Sequence, residues 1–141
     1  MKAIPYITFN GDCEQAVEFY RSVLSGKLEI MRYKDIPAGG GMSPGDDWKD
    51  KVMHASLTFT DGTCLYFSDA WEASPAKIGD NITVHLQVES EARAYELVKK
   101  LGDGGTTTMA ADRTFWGSVY GSVVDRFGVP WGIEFELPRQ G

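Results

Sequence analysis

Two hydrophobic rhythms follow one another along the chain, and the same succession runs twice. Residues 4 to 9 (IPYITF) read as a strand. Asn10-Gly11-Asp12 then turns the chain, with Asp12 as the expected N-cap of a helix from about Cys13 to Leu24. Ala16, Val17, Tyr20 and Leu24 recur at three-to-four spacing and form an apolar stripe, and Gly26 ends the helix. Leu28 to Tyr33 is a second strand. Met53 to Phe59 alternates apolar and polar positions, Asp61-Gly62 reads as a two-residue hairpin turn, and Thr63 to Ser68 returns as the partner strand. His54, Ser56 and Thr58 share one face of this hairpin's first strand, and Cys64, Tyr66 and Ser68 share one face of its second.

The second run begins with Asn81 to Val88, where Thr83, His85 and Gln87 lie on one side. Ser90 caps a helix whose stripe is Ala94, Leu97, Val98 and Leu101, and Gly102 stands where a left-handed C-terminal cap is expected. Thr106 to Met109 is a weak strand. Phe115 to Glu136 closes the chain as a hairpin: one strand ends at Val123 to Asp125, Arg126 to Val129 turn, and Pro130 opens the last strand. Period-two geometry puts Ile133 and Phe135 on its apolar side and the carboxylates Glu134 and Glu136 on the other. Shifting the first helix by 77 positions lays Val17 on Ala94, Tyr20 on Leu97 and Leu24 on Leu101. The expected fold is therefore α+β, two βαβββ modules in one domain spanning 1–141, with modules over 1–70 and 80–138. Each four-stranded sheet would bury one face under its helix, and the curved mixed sheets would leave their other faces to enclose a cavity.

Between the second and third strands of the first module, residues 36 to 50 (IPAGGGMSPGDDWKD) carry no periodic burial and read as a long loop, a flexible lid or a dimer edge. Its three glycines lack a following Gly-Lys-Ser/Thr, which argues against a phosphate cradle.

Composition narrows the function classes. Apolar residues make up 43% of 141 residues, enough for one core, and 14 Lys and Arg stand against 20 Asp and Glu, a formal charge of −6. Phosphate backbones and anionic membranes repel such a surface, so neither nucleic acid nor membrane is an expected partner. No apolar run suits a secretory signal or a membrane span, so cytoplasmic residence is the expectation. Cys13 and Cys64 read as reduced thiols, and Asp69 and Asp125 as turn residues bonding backbone amides.

The segments YITFNGDCEQAVEFYRSVL, LYFSDA and FWGSVYGSVVDRFGVPWGIEF resemble the vicinal oxygen chelate superfamily, the glyoxalase and bleomycin-resistance fold, over nearly the whole chain, and its PhnB-like branch best. The resemblance implies a homodimer and a small-molecule ligand held between modules. It also implies a divalent metal on four strands, with His, Glu, His and Glu as ligands. Here the first position falls at Pro5, beside Tyr6, the second at Tyr66, the third at Thr83 with His85 two residues on, and only the fourth is kept, as Glu134. One matching carboxylate is too few for a catalytic ion, so no cofactor is assigned and a divalent metal is the less favoured option. His85 and Glu134 are its candidate ligands, with His54 a third in an improvised site.

His85 and Glu134 are also the candidate catalytic pair, each able to favour the charged form of the other and to take a proton from beside a carbonyl. His54, Tyr66, Thr83, Trp116 and Tyr120 are the candidate substrate-binding residues. The expected function is a glyoxalase-like small-molecule binder of unassigned reaction; the alternative is a metal-dependent lyase, isomerase or dioxygenase working through His85 and Glu134.

Overall fold

A computed structural model describes residues 1–37, 39–41 and 43–139. The chain divides into two compact units, Met1–Lys77 and Ile78–Gly141. In the first, β1 (Tyr6–Phe9), α1 (Cys13–Leu24), β2 (Lys27–Arg32), β3 (Val52–Thr58) and β4 (Cys64–Asp69) build a sheet of order β1-β4-β3-β2. In the second, β5 (Val84–Gln87), α2 (Glu91–Gly102), β6 (Thr106–Arg113), β7 (Ser118–Val124) and β8 (Pro130–Glu136) build a sheet of order β5-β8-β7-β6. The first and last strands of each unit pair in parallel, β1 with β4 and β5 with β8, and the rest pair antiparallel. The topology is thus the same βαβββ module used twice, as the two hydrophobic runs imply.

Each helix covers one face of its own sheet. The α1 stripe is buried at Cys13, Ala16, Val17, Tyr20 and Val23, and the Tyr20 ring stacks on Phe67 of β4 at 5.6 Å. The α2 stripe is buried at the expected Ala94, Leu97, Val98 and Leu101. Beneath it, Val119, Val123, Trp131 and Ile133 are all but inaccessible. At about 25 cal/mol per Å² of apolar surface removed from water, this packing supplies most of what holds each helix down. The alternate residues of every strand then necessarily stand on the face turned away from the helix.

Both hairpins that end a module are built alike, and here the sequence reading needs correction. Asp61-Gly62 is not a two-residue turn: Phe59 N donates to Thr63 O at 2.9 Å and Gly62 N to Phe59 O at 3.0 Å, which encloses a three-residue loop, Thr60 to Gly62. The β7–β8 loop repeats this with Asp125 N on Val129 O at 2.9 Å and Gly128 N on Asp125 O at 3.0 Å. Gly62 and Gly128 both sit at φ 87°, the left-handed residue such loops require and which a side chain would strain.

Several other expectations change. Gly102 is the last residue of α2 and has no left-handed φ; Gly104 does, at 77°. A Cβ on Gly102 would meet Thr107 Oγ1 at 3.0 Å and Val123 Cγ1 at 3.2 Å, so close packing accounts for this glycine. The strand expected over Thr106 to Met109 runs on to Arg113 with two register irregularities, and its short apolar content hid its length. The strand expected from Asn81 begins only at Val84. Of the loop 36–50, positions 38 and 42 lie outside the described residues; its later part is tied down, with Trp48 Nε1 donating to Ala70 O at 3.0 Å and Gly45 N to Glu72 at 3.3 Å.

Asp12 occupies the N-cap position of α1, yet its side chain makes no capping bond. That task falls to Asp69, at the far end of β4 and fully buried. Its Oδ1 accepts Gly11 N at 2.7 Å and Cys13 N at 3.0 Å, and its Oδ2 accepts Val52 N at 3.0 Å. Asp69 therefore bonds backbone amides as expected, but across 56 to 58 residues rather than within a turn. Burial, with the Asp69 charge adding to it, drives the Cys13 thiol far above its ordinary range and makes it inert. Asp125 does hold its turn: Oδ1 accepts Phe127 N at 2.8 Å and Val129 N at 3.0 Å, and Oδ2 accepts the buried Trp131 indole at 2.8 Å.

Candidate functional site

The face of the second sheet turned away from α2 gathers most of the predicted residues. β8 lies between β5 and β7, and its register sets His85 against Gly132, Gln87 against Glu134, Tyr120 against Glu134 and Ser122 against Gly132. Glu134 is the centre of this face. Its Oε2 lies 3.0 Å from His85 Nε2, and its Oε1 accepts Trp116 Nε1–H at 3.2 Å. The Ser118 hydroxyl is the strongest of the influences holding the Glu134 carboxyl below its ordinary range; partial burial opposes it, and Trp116 and His85 add to it. The neighbouring Thr114 hydroxyl donates to Ser118 O at 3.1 Å and also lies 3.1 Å from Ser118 Oγ.

An ionised carboxylate only accepts, so the hydrogen-bond network assigns a proton to His85 Nε2. In the neutral ring Nδ1 then keeps its lone pair. The Tyr120 ring stacks beside this imidazole, centroids 6.2 Å apart and planes 16° from parallel, and also meets Trp116 at 6.1 Å. The His85 side chain is 49% exposed and that of Glu134 20%, so the pair is within reach of a ligand. Glu136 is exposed at the strand's end.

Gly132 was not singled out from the sequence, yet it makes this arrangement possible. A Cβ there would come within 3.1 Å of Tyr120 Oη and 3.2 Å of His85 Nδ1. Both side chains pack into the space that a side chain on Gly132 would otherwise take. A glycine inside a strand is the signal that was available, since it weakens the strand and marks close approach.

Thr83 does not join the group. It precedes β5 and is exposed, because the strand expected from Asn81 starts only at Val84. His54 and Tyr66 belong to the other unit, on the face of the first sheet away from α1. There Tyr6 and Tyr66 are register partners, the Tyr6 hydroxyl and His54 Nδ1 lie 2.9 Å apart, and the His54 and Tyr66 rings meet edge to face at 4.8 Å. Tyr6 completes that aromatic trio.

Counting from the hairpin glycines Gly62 and Gly128, Tyr66 and Gly132 are each fourth and Ser68 and Glu134 each sixth. Ser68, not Tyr66, is thus the first module's counterpart of Glu134. Likewise Tyr6 faces Tyr66 as His85 faces Gly132, so Tyr6 and not Pro5 is the counterpart of His85. Tyrosine and serine hydroxyls are poor substitutes for imidazole and carboxylate as metal ligands. Among the described residues no three His, Cys, Asp or Glu side chains come together as a metal site. The donor set does not fit a resident divalent ion.

Two four-stranded βαβββ sheets in tandem define the class. The chain belongs to the glyoxalase/bleomycin resistance protein/dioxygenase superfamily, whose family model matches residues 3–135. Protein PA1353 from Pseudomonas aeruginosa is 37% identical, with 98% of this chain and 99% of that one aligned at a TM-score of 0.83. Protein YjdN of Escherichia coli K12 is 30% identical, with 94% of each chain covered. A PhnB protein from Bacillus cereus, described as a putative 3-demethylubiquinone-9 3-methyltransferase, shares the fold at 22% identity and a TM-score of 0.74 over 96% of this chain and 99% of that one.

Proposed function

We propose that this protein binds a small molecule against the outer face of its second sheet, with His85 and Glu134 as polar anchors and Trp116 and Tyr120 as walls, and that it does so without a resident metal. The observation that carries the reading is the Glu134 carboxylate on a half-open face, its Oε1 accepting Trp116 Nε1–H at 3.2 Å and its Oε2 3.0 Å from His85 Nε2. Pre-set polar atoms flanked by aromatic surface are what ligand sites share. The methyl-transfer wording of the Bacillus cereus neighbour does not extend to this chain. Its helices follow their first strands through Asn10-Gly11-Asp12 and Glu89-Ser90, without the glycine-rich turn that cradles a nucleotide. A second copy of the chain is the proposed macromolecular partner, supported by β6, an eight-residue edge strand exposed along nearly its whole length. Light scattering showing a monomer at micromolar concentration would remove that partner.

The test of binding uses chelator-dialysed, isotope-labelled protein and a library of small carbonyl and phenolic compounds. A ligand should shift the Trp116 indole N–H resonance, and the shift should vanish in His85→Ala and Glu134→Ala. Ligands that bind without moving that resonance would place the site elsewhere. A stoichiometric metal in protein purified without additions, lost on Glu134→Ala, would restore the metal-enzyme reading.

A further inference from the structure

We infer that Asn10 is a site of spontaneous modification, its side-chain amide converting to a carboxylate through attack by the Gly11 nitrogen. The fold holds this reaction off while using the same amide to latch the segment that follows β4. The chain has two asparagines, Asn10 followed by glycine and Asn81 followed by isoleucine. Attack by the next backbone nitrogen needs an unhindered, freely rotating neighbour, which glycine provides and a β-branched residue denies. In the folded chain both reacting groups of Asn10-Gly11 are engaged. Gly11 N, the nucleophile, donates to Asp69 Oδ1 at 2.7 Å. The Asn10 amide is gripped at both ends by one residue: Nδ2 donates to Ala76 O at 2.9 Å, and Oδ1 accepts Ala76 N at 2.7 Å. The Ala76 backbone therefore dictates which amide atom is nitrogen and which oxygen. This two-pronged contact joins residues 66 apart and ties the stretch after β4 to the turn before α1.

The reaction needs only the chain and water. Gly11 N gives its proton to solvent hydroxide, its electron pair forms a bond to Asn10 Cγ, and the Cγ–Nδ2 bond breaks as Nδ2 takes up a proton and leaves as ammonia. Water then opens the cyclic imide at either carbonyl, giving aspartate or, where the backbone now runs through the side chain, isoaspartate. No oxidant or reductant enters. While Asp69 holds the Gly11 N–H, taking that proton would leave an anion against a carboxylate, so the reaction waits on local opening. Once aspartate has formed, the oxygen in place of Nδ2 has no hydrogen to give Ala76 O, and two acceptors face each other. Isoaspartate also lengthens the backbone between residues 10 and 11 and draws Gly11 N away from Asp69. Either product releases the latch, and because the change is irreversible the chain keeps a record of its own openings.

The experiment ages the full chain at mildly alkaline pH, folded and in concentrated urea, and follows the amide-to-acid mass gain in the peptides that carry Asn10 and Asn81. Asn10 should convert about a hundredfold faster in urea than in the fold, with Asn81 lagging well behind it in urea. Asp69→Asn, which removes the charge facing the Gly11 N–H, should convert at Asn10 faster than the folded wild type. The wild-type comparison needs no substitution and stands even where Asp69→Asn does not fold. Trypsin reads the latch at the exposed Lys77, next to Ala76. Asn10→Asp, the product itself, and Asn10→Ala should be cut after Lys77 about tenfold faster than the wild type while circular dichroism shows an intact fold, with cleavage after Lys27 of β2 unchanged. Equal conversion of Asn10 in fold and urea overturns the masking, and conversion in urea no faster than that of Asn81 overturns the site. Unchanged cleavage after Lys77 in folded Asn10→Asp overturns the latch.

Discussion

The two modules share a topology, a strand order and a hairpin construction, yet they place their key carboxylate on opposite sides of the sheet. In the first, Asp69 points under the helix and ties the amides of Gly11, Cys13 and Val52, so its charge is spent on the frame. In the second, Glu134 points away from the helix and is held by side chains alone, Ser118, Trp116 and His85. The histidine–tyrosine pairs are exchanged as well: β1 carries the tyrosine and β3 the histidine in one module, while β5 carries the histidine and β7 the tyrosine in the other. A shared fold therefore specifies where side chains stand, and which residue stands there decides whether a module's face is structural or chemical.

The largest effect should come from removing the frame carboxylate. Asp69→Ala leaves two buried amides and one part-buried amide without an acceptor and should cost about 4 kcal/mol in urea unfolding, near the upper end for single substitutions. A loss under about 1 kcal/mol would show that water replaces the carboxylate and that the contrast between modules is overstated. Next comes Gly132→Val, which gives the second module the filled position that Tyr66 provides in the first. Crowding of Tyr120 and His85 should cost about 1–3 kcal/mol and abolish the ligand-induced Trp116 shift. Unaltered ligand response would mean the packing at Gly132 does not shape the site.

Glu134→Gln should lower ligand affinity about tenfold, the worth of one charge-assisted hydrogen bond, with the fold intact by circular dichroism. Its stability difference from the wild type should also depend on pH with a definite sign. The folded carboxyl lies below its ordinary value of 4.5, so the stabilisation is present above pH 4.5 and disappears as pH falls through the lower folded value. A difference that grew on acidification would contradict the proposed hydrogen bonding. The smallest effect belongs to Phe115→Ala: the ring is 97% exposed and touches Trp116 edge to face at 5.0 Å, so melting should move by less than about 0.5 kcal/mol. A larger change would mean that the loop around Trp116 is part of the core.

Both helices and the strands were readable because burial imposes a local period, and Ala94, Leu97, Val98 and Leu101 are buried as their spacing required. Their limits were less so. Thr83 continues an alternation that the strand itself does not, and the start of β5 depends on where β8 runs out beside it. The importance of Glu134 and His85 could be suspected from two polar residues on alternating strands. Their hydrogen bond could not, since it joins residues 49 apart and requires a parallel register that no local pattern encodes.

From the chain alone came the doubled βαβββ order, the face on which each polar residue lies, and the absence of a complete metal-binding pattern, all consequences of short-range periodicity and residue type. Tertiary structure decided the neighbours across strands: Asp69 as the cap of a helix it does not precede, Ser68 rather than Tyr66 as the partner position of Glu134, and the bare backbone of Gly132 against which His85 and Tyr120 both pack. Register is a long-range choice, set by how a whole sheet packs on its helix, and a shift of one residue would have turned every one of these side chains to the other face.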